Sequence, residues 1–449
     1  MKKNILSLMI TAFTMASLTA CGNDSKGTIT VWVGGESVSY YQEVLEDFKK
    51  KNDFEYDFKV VESDAGDAAK VFLEDVEKGA DIFTVAHDNL AKLTAGQSAI
   101  MPVTDQSLLN QIEADNPDVF KDVIKKEMHG NNYTFAVPYI GQALVLYYNK
   151  AVVSEEQAKT WEGLEEAAKN ASSAGNVVKA CTFQGKDNYN FSWSILARQM
   201  PSNTTTLKLY ENKNAENCYF QGDDMVAVTK WAQDFFDLPN GATYPSSSEW
   251  TMELTPSEGK NCGKAVALVG GAWNYNAAKA ALGNNLGVAK LPTFTITEES
   301  AYGSIEAGTQ FQSGTFADCK AFVMKKTSKY ASVLQDVVKF LSSKEVQEGS
   351  YKECNNLPSY KNAATEFESM KGNTLEAKLA RTQIEMSNYG IAQPFGVNAL
   401  FNSFYYSKGA PDLYKALIED KDGVFSTFEE IKLELANIES VWKTGTKIR

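Results

Sequence analysis

Two hydrophobic patterns alternate along the first part of the chain. The segments "TITVWV" (28–33), "FEYDFKVV" (54–61) and "ADIFTVA" (80–86) are rich in β-branched and aromatic residues, which favours β-strands. Between them, "SYYQEVLEDFKKK" (39–51) and "DAAKVFLEDVEKG" (67–79) carry apolar residues at helical spacing. The order strand–helix–strand–helix–strand predicts parallel pairing in a doubly wound α/β sheet.

The later segments continue this mixture of strands and helices. A helical stretch is predicted over 105–128, and "YTFAVPYIGQALVLYYNK" (133–150) predicts two extended segments that break at Gly141. The segment "KAVALVGGAW" (264–273) predicts a strand that runs into a turn. Helical patterns recur at the following positions: 154–170, 223–237, 332–341 and the C-terminal region.

The length of 449 residues exceeds what one ordinary core holds, so two lobes are expected. Hydrophobic residues make up 43% of the chain and aromatic residues 11%, a composition typical of a folded globular protein. The net charge of −13 is spread along the chain. Such a surface repels phosphate backbones, which argues against a nucleic-acid partner.

The N-terminus has the pattern of a secretory signal peptide over residues 1–20. "MKK" and Asn4 are followed by "ILSLMITAFTMASLTA", a run of 16 uncharged residues, which is fewer than the roughly 20 that a membrane span needs. The run ends in "LTAC", which resembles a bacterial lipobox. Cys21 would then be the lipid-modified first residue, and 21–27 a lipid-anchored tether on the extracellular face of the bacterial membrane. The alternative is an ordinary signal peptide with a chance cysteine.

The other five cysteines show no metal-binding spacing. No two of them form a CxxC, and the chain has only two histidines, which argues against a zinc site. Outside the cell these thiols could form at most two disulfides, with one thiol left over. The sequence does not decide which of these cysteines would pair. The five cysteines are Cys181, Cys218, Cys262, Cys319 and Cys354.

A candidate binding edge follows from the predicted topology. In open α/β sheets, ligands bind beyond the carboxyl ends of the strands. "GGES" (34–37) follows the first predicted strand and "HDN" (87–89) follows the third. We therefore expect both segments, and Asp88 in particular, to face one crevice.

The His87–Asp88 pair also raises the possibility of catalysis. A metal-dependent phosphohydrolase would need several more histidines, and only His129 remains. No GxSxG nucleophile motif is present. A Ser-His-Asp triad stays open, but nothing marks its nucleophile. With 57 acidic residues, some pair will always fit a glycosidase, so that pattern decides nothing.

Trp273 stands out among the seven tryptophans. "GGAWNY" places it directly after a predicted strand and beside two glycines, where a binding edge needs a flat apolar surface. The alternative is packing in the core, which is the more common role of a tryptophan.

Several segments together resemble the extracellular solute-binding proteins of ABC importers, in the maltose-binding protein family. The resemblance covers almost the whole mature chain, and it is carried by these motifs in order: "TITVWVGG", "ADIFTVAHDNL", "YTFAVPYIGQALVLYYNK", "GKAVALVGGAWNY", "LGVAKLPTF", "AFVMKKTSKYASVLQDVVKFLSSKEVQ" and "NNLPSYKNA". Each motif alone is weak evidence for this family. The occurrence of all of them in the same order, together with the lipobox, makes the resemblance strong.

The resemblance implies two doubly wound α/β lobes joined by a crossed hinge. We expect lobe 1 to comprise 28–139 and 291–341, and lobe 2 to comprise 140–290 and 342–449. A sugar would be held in the cleft and passed to the permease subunits of the transporter. The family also implies a monomer without a cofactor, a metal site or an enzymatic activity.

The family's ligand-binding positions map onto residues in both lobes. Glu36 falls where the family has a hydroxyl-binding acid, and Asp88 matches the carboxylate of the binding loop. Gln142 stands in the crossover where maltose binders have glutamate. Trp273 matches a stacking tryptophan.

Other positions match the family less well. Asn190 and Phe191 match the aromatic contacts of the second lobe only in part, and Phe401 lies near another in a region of uncertain alignment. Ser37 and Asn89 stand where maltose binders have lysine and arginine. These five complete the predicted ligand-binding set.

The identity of the ligand stays open at this stage. Val85 stands where the maltose binders have a tryptophan, so the aromatic sugar-binding surface of the first lobe is altered. The motifs "AHD" and "GAW" of that family are nevertheless present in this sequence. The sequence therefore favours a maltodextrin or another gluco-oligosaccharide. The alternatives are a non-sugar ligand, such as a polyamine, a metal complex or an organic anion, and a secreted hydrolase on a similar scaffold.

Overall fold

A computed structural model describes most of the chain. The described residues are 26–184, 190, 192–202, 204–206, 218–245, 250–361, 363, 372–387, 389–391 and 409–448. The predicted signal peptide and the predictions for Cys21, Phe191 and Phe401 lie outside these residues.

The described strands, in chain order, are β1 Thr28–Val33, β2 Asp57–Glu62, β3 Ile82–Ala86, β4 Lys125–Met128, β5 Asn131–Thr134, β6 Val137–Gln142, β7 Val145–Asn149, β8 Cys181–Thr182, β9 Arg198–Gln199, β10 Thr204–Thr205, β11 Ala242–Thr243, β12 Ala267–Gly270, β13 Leu286–Ala289, β14 Thr293–Thr295, β15 Gln310–Gln312, β16 Thr315–Phe316, β17 Asp318–Met324 and β18 Gly390–Ile391.

The described helices, in chain order, are α1 Val38–Lys51, α2 Ala68–Glu74, α3 Leu90–Leu93, α4 Gln106–Asp115, α5 Asp118–Val123, α6 Trp161–Ala171, α7 Ser192–Ile195, α8 Asp223–Asp237, α9 Tyr275–Leu282, α10 Ala331–Leu341, α11 Lys344–Cys354, α12 Leu375–Ser387, α13 Ala410–Glu419 and α14 Phe428–Thr444.

The first sheet has the strand order β2-β1-β3-β17-β6. β1 pairs in parallel with both β2 and β3, which confirms the parallel arrangement predicted from the alternating pattern. β17 returns from far along the chain and pairs antiparallel with β3 and β6. As a result, β1, β3 and β6 run in the same direction and end at the same edge.

The second sheet has the order β11-β8-β12-β7-β13. β12 is parallel to β8 and antiparallel to β7. Each of the two sheets has its own hydrophobic core: the first contains Val31, Phe83 and Phe322, and the second contains Trp161 and Trp193. The α/β fold with two lobes, predicted from the chain length and the family resemblance, is confirmed.

The lobes are joined by segments that cross between the sheets. β6 ends at Gln142 and β7 begins at Val145, so only Ala143 and Leu144 lie between the two sheets. The second crossing runs beside the first, because the Leu144 amide donates to Oγ of Thr315 over 2.9 Å. The structure therefore has the crossed hinge that the resemblance implied.

Gly141 does not break the extended segment, contrary to the sequence-based expectation. It lies inside β6, pairs with Cys319 of β17, and its amide donates to the carbonyl of Leu357 over 2.9 Å. A Cβ atom at this position would lie 3.3 Å from the ring of Phe120. Glycine therefore allows close packing here, and the break falls two residues later.

The helix predicted over 105–128 is also wrong at its C-terminal end. The helices α4 and α5 occupy its first part, but β4 and β5 then form a hairpin. His129 and Gly130 at its tip both have positive φ, 54° and 78°. A turn of this kind suits a two-residue hairpin and excludes a continuous helix.

The expected lobe boundaries differ from the observed packing. β14 and β15 belong to a small sheet with β9, and Phe294 and Phe311 lie in the second core. The segment from 291 to 312, expected in lobe 1, therefore packs with lobe 2. Conversely, α11 begins after residue 341 but packs Val346 into the first core, and all of β6 pairs within the first sheet.

The five described cysteines are all free thiols, and four of them are buried. Burial raises the pKa of Cys218 to about 12.

Among the described residues, none of the helices has the length and apolar character that a membrane crossing requires.

Candidate functional site

Three strand ends share the same local structure at the candidate site. β1, β3 and β12 each run into a single 3₁₀ turn that leads directly into an α-helix. These turns are Gly35–Ser37 before α1, His87–Asn89 before α3, and Ala272–Asn274 before α9. Such strand ends are the usual ligand-binding positions in open α/β sheets.

The first lobe brings its candidate residues to one edge. β1 and β3 are parallel neighbours, so the turns that hold Glu36 and Asp88 lie side by side, as predicted. Gln142, at the carboxyl end of β6, is aligned with Asp318 at the amino end of β17. Asp318 in turn lies 3.4 Å from the His87 ring, measured between Oδ1 and Nε2.

The second lobe brings Trp273 to the same crossing. Val145, the first residue of β7, is aligned with Gly270, the last residue of β12. Because a chain extends about 3.5 Å per residue, Gln142 and Val145 lie within about 11 Å of each other. The edges of the two sheets that hold Asp88 and Trp273 therefore both adjoin the hinge.

Asp88 is half-buried on its turn. Its Oδ1 accepts a hydrogen bond of 2.9 Å from the side-chain amide of Asn89. Burial raises the pKa of the Asp88 carboxyl above its usual value; His87 opposes this shift and Asp318 adds to it. The oxygens of this carboxyl group can accept hydrogen bonds from neutral donors such as hydroxyls.

Asn89 supports the turn from inside the protein. The side chain is buried, and its amide also donates to the Gly66 carbonyl over 3.4 Å. Its Oδ1 accepts from Nζ of Lys92 over 3.0 Å. These contacts connect the Asp88 turn with α3 and with the loop before α2.

Glu36 and Ser37 occupy different environments on the neighbouring turn. Glu36 is exposed, and its carboxylate folds back so that Oε1 lies 2.8 Å from where a Cβ on Gly34 would be. Ser37 is buried and accepts a hydrogen bond of 3.0 Å from Asn356. In this structure the Ser37 hydroxyl joins the turn to the segment after α11, and only Glu36 faces solvent.

Trp273 is exposed over 42% of its surface, so core packing is wrong for this residue. The indole lies against Gly271, where a Cβ atom would approach it to 2.1 Å. The carbonyl of Gly271 accepts from the Tyr147 hydroxyl over 2.9 Å, and its amide donates to Oδ1 of Asn274 over 3.2 Å. The turn under the ring is thus fixed from both sides.

Asn190 is 2% exposed, and its Oδ1 has no hydrogen-bond partner among the described residues. It lies two residues before α7, and α7 reaches the crossing because the Gly314 amide donates to the Trp193 carbonyl over 2.9 Å. Phe191 and Phe401, the remaining predicted contacts, lie outside the described residues.

Sequence reasoning missed Asp318. The only signal is an acidic residue directly before the buried strand segment "CKAFVM", and its neighbours at the site become visible only through the pairing of β17 with β3 and β6.

Val85 is fully buried in β3. It therefore offers no platform at the position where maltose binders have tryptophan.

The site combines carboxylate and amide groups on one lobe with an exposed indole on the other. Within the described part of the chain, no group of three or more His, Cys, Asp or Glu side chains is placed to hold a metal ion. Two lobes, a crossed hinge and a binding edge on each lobe beside that hinge are the architecture of a solute-binding protein. The chain belongs to the bacterial extracellular solute-binding protein family, whose family model matches residues 43–377.

Similar curated proteins are transport proteins. A maltooligosaccharide ABC transporter solute-binding lipoprotein of Streptococcus pneumoniae R6 is 25% identical over 343 residues, which cover 75% of this chain and 73% of the relative. The maltodextrin-binding protein MdxE of Bacillus subtilis is 24% identical over 377 residues, which cover 79% of this chain and 80% of MdxE.

Solved structures show the same fold. The maltodextrin-binding protein MalE1 from L. casei BL23, solved without ligand, superposes with a TM-score of 0.71 at 20% identity, covering 93% of this chain and 99% of MalE1. A cyclo/maltodextrin-binding protein complexed with maltotetraose gives a TM-score of 0.67 at 19% identity, covering 92% of this chain and 96% of that protein.

Proposed function

We propose that this protein captures an extracellular carbohydrate between its lobes and delivers it to the permease of an ABC importer. The ligand that we favour is a maltodextrin or another gluco-oligosaccharide. The single observation that carries the proposal is the exposed indole of Trp273, held on a fixed turn beside the hinge that also adjoins Asp88 and Gln142. The transport functions named for the relatives support it.

The chemistry of a sugar matches this arrangement. A pyranose ring has flat faces of C–H groups and a rim of hydroxyls. An indole covers an apolar face, while carboxylate and amide oxygens accept hydrogen bonds from hydroxyls. In this proposal Glu36, Asp88 and Gln142 bind hydroxyls, and Trp273 stacks on a ring.

Asn190 has a defined part in the same proposal. A buried acceptor without a partner carries an energetic cost, because it has lost water without gaining a hydrogen bond. Its Oδ1 is such an acceptor among the described residues. A sugar hydroxyl that reached it on closure would remove that cost. We assign to Ser37 and Asn89 the support of their turns, since both are buried and hydrogen-bonded within the protein.

The lobes and the anchor complete the proposal. We place residues 28–142 and 318–354 in lobe 1, and the described residues of 145–316 and from 375 onward in lobe 2. The protein acts as a monomer, tethered through Cys21 to the extracellular face of the membrane. Closure about the hinge, a known motion of proteins of this class, would bring the indole and the carboxylates onto one ligand.

A ligand panel tests the proposed function. Maltose, maltotriose, maltotetraose, sucrose and lactose are titrated by calorimetry, and each sugar is recovered and analysed by chromatography. We expect saturable binding of one maltodextrin per protein and recovery of unchanged sugar. Shortened sugar would show a hydrolase instead.

Spermidine belongs in the same panel, because the edge of the first sheet carries exposed acids. Glu62 approaches Gly35 closely, with Oε1 2.6 Å from where a Cβ would lie, and Glu36 lies against Gly34. These carboxylates would attract a polyamine. Tight binding of spermidine without binding of any sugar would contradict the proposal and identify a cationic ligand.

A further inference from the structure

The His87 side chain is buried beside an acid that comes from a distant part of the chain. The imidazole is 1% exposed and Asp318 is 4% exposed. Their closest atoms, Nε2 and Oδ1, lie 3.4 Å apart. A buried carboxylate is costly unless it has polar partners, and the His87 imidazole is one such partner of Asp318 at the strand end.

The position of Asp318 follows from strand register. Lys320 of β17 is aligned with Ala86, the last residue of β3. Because β17 runs antiparallel to β3, Asp318 lies two residues beyond the end of this pairing, level with the His87–Asn89 turn, and its side chain reaches the His87 ring. On its other side Asp318 is aligned with Gln142. One carboxylate therefore lies next to both the Asp88 turn and the end of β6.

Other ionisable groups near His87 come from three elements of the described chain. Asp88 lies on the same turn, Lys92 of α3 approaches the turn through Asn89, and Cys319 follows Asp318 on β17. Burial raises the pKa of the Cys319 thiol, and both carboxylates add to the rise, so this thiol is neutral.

We propose that Asp318 is a positioning residue for ligand binding: it holds the His87 ring under the turn and thereby fixes Asp88 and Gln142 at the edge of the cleft. The inference rests on the proposed function, because it assigns Asp318 a role in the same site. Asp318 does not itself contact the ligand. Its charge acts through the imidazole, so its removal changes the titration of His87 together with affinity.

The test uses Asp318→Asn and Asp318→Glu in the full chain. The chain has only two histidines, and His129 is exposed on the β4–β5 hairpin, so NMR can follow each imidazole as pH changes in the ligand-free protein. Without the neighbouring carboxylate, we expect the midpoint of His87 to fall by about one unit in Asp318→Asn. His129 should not move, and Asp318→Glu should keep the midpoint near that of the wild type.

Calorimetry with maltotetraose on the same variants supplies the second measurement. We expect Asp318→Asn to weaken binding about tenfold, and Asp318→Glu to recover part of the loss. The matched control is Asp81→Asn. Asp81 lies directly before β3 at the opposite edge of the sheet, where it accepts hydrogen bonds from the Thr30 amide (2.9 Å) and the Ser328 hydroxyl (2.7 Å). This control should lower stability while leaving affinity and the His87 midpoint unchanged.

The outcomes separate this inference from the proposed function. An unchanged His87 midpoint in Asp318→Asn overturns the pairing. A shifted midpoint with wild-type affinity overturns the positioning role. If the wild type binds no sugar, the proposed function fails, and the positioning role fails with it, whereas the NMR titration still decides whether Asp318 controls His87.

Discussion

The indole of Trp273 lies against the backbone of Gly271, where any Cβ atom would fall 2.1 Å from the ring. The backbone angles of Gly271, φ −93° and ψ −173°, are open to every amino acid. The three atoms nearest to such a Cβ all belong to the Trp273 ring, so the present position of the ring, and not the backbone conformation, favours glycine here. The relationship shows that the turn is built to hold an exposed indole in one place.

The variant Gly271→Ala tests this relationship. Its methyl group would displace the indole from its present position, so we expect sugar affinity to fall about tenfold. The free energy of unfolding should change little, because the ring is exposed. In a Trp273→Ala background, the same Gly271→Ala change should cost no further affinity, since residues that act through one contact are not additive. Equal losses in both backgrounds would contradict the relationship.

Trp273→Ala tests the stacking platform itself. One indole face over a sugar ring removes on the order of 70 Å² of apolar surface from water, worth roughly 2 kcal/mol. Calorimetry should therefore show a loss of affinity of about thirtyfold, and Trp273→Phe should recover part of it. The melting temperature without ligand should move little.

Leu433→Ala is the matched control for Trp273→Ala. Leu433 lies on α14 and is 44% exposed, close to the 42% of Trp273. Removing it should leave both affinity and melting temperature nearly unchanged. Marked destabilisation by Trp273→Ala with wild-type affinity would refute the platform.

Asp88→Asn should separate binding from stability. Burial raises the pKa of Asp88 above that of the unfolded chain, so the folded protein holds this proton more tightly. The contribution of Asp88 to stability is then greatest at low pH, and it falls as the pH rises through the interval between the two pKa values. At neutral pH, the neutral Asn should raise the free energy of unfolding of the ligand-free protein while weakening sugar binding at least tenfold.

Denaturant titration and calorimetry on the same preparation measure both effects. Asp47→Asn, at an exposed position on α1, is the control and should alter neither quantity appreciably. Lower stability of Asp88→Asn at neutral pH, with affinity retained, would place Asp88 in the framework of the protein and not in its binding site.

Cys21→Ser tests the anchor. Cys21 follows 16 uncharged residues that end in "LTA", and lipid attachment at this cysteine is the only membrane contact that we propose. The variant should fractionate with the soluble proteins and keep its melting temperature and sugar affinity. A variant that stays with the membranes in high salt would show that another contact holds it there.

The early strands and helices could be predicted because their patterns are local. β1, α1, β2, α2 and β3 follow from alternating or helical spacing of apolar residues within short windows. The same reasoning failed at Gly141, where glycine is needed for close packing against Phe120 and not for a turn. It also missed the hairpin at His129 and Gly130, because a two-residue turn leaves little signal in a helical window.

The candidate site could be predicted only where a residue follows its own strand. Asp88 and Trp273 stand directly after segments with strand patterns, so topology places them at binding edges. Asp318 could not be found this way, because its neighbours at the site depend on the pairing of β17 with β3 and β6. The boundary at residue 291 failed for the same reason, since it depends on β15 pairing with β9.

The central claim is that the two lobes close on a neutral sugar and hold it unchanged. Small-angle X-ray scattering of the wild type with and without maltotetraose measures this directly, and the sugar is recovered afterwards by chromatography. The account predicts a smaller radius of gyration at saturation, with intact maltotetraose recovered. An unchanged radius at a concentration that calorimetry shows to be saturating would contradict it.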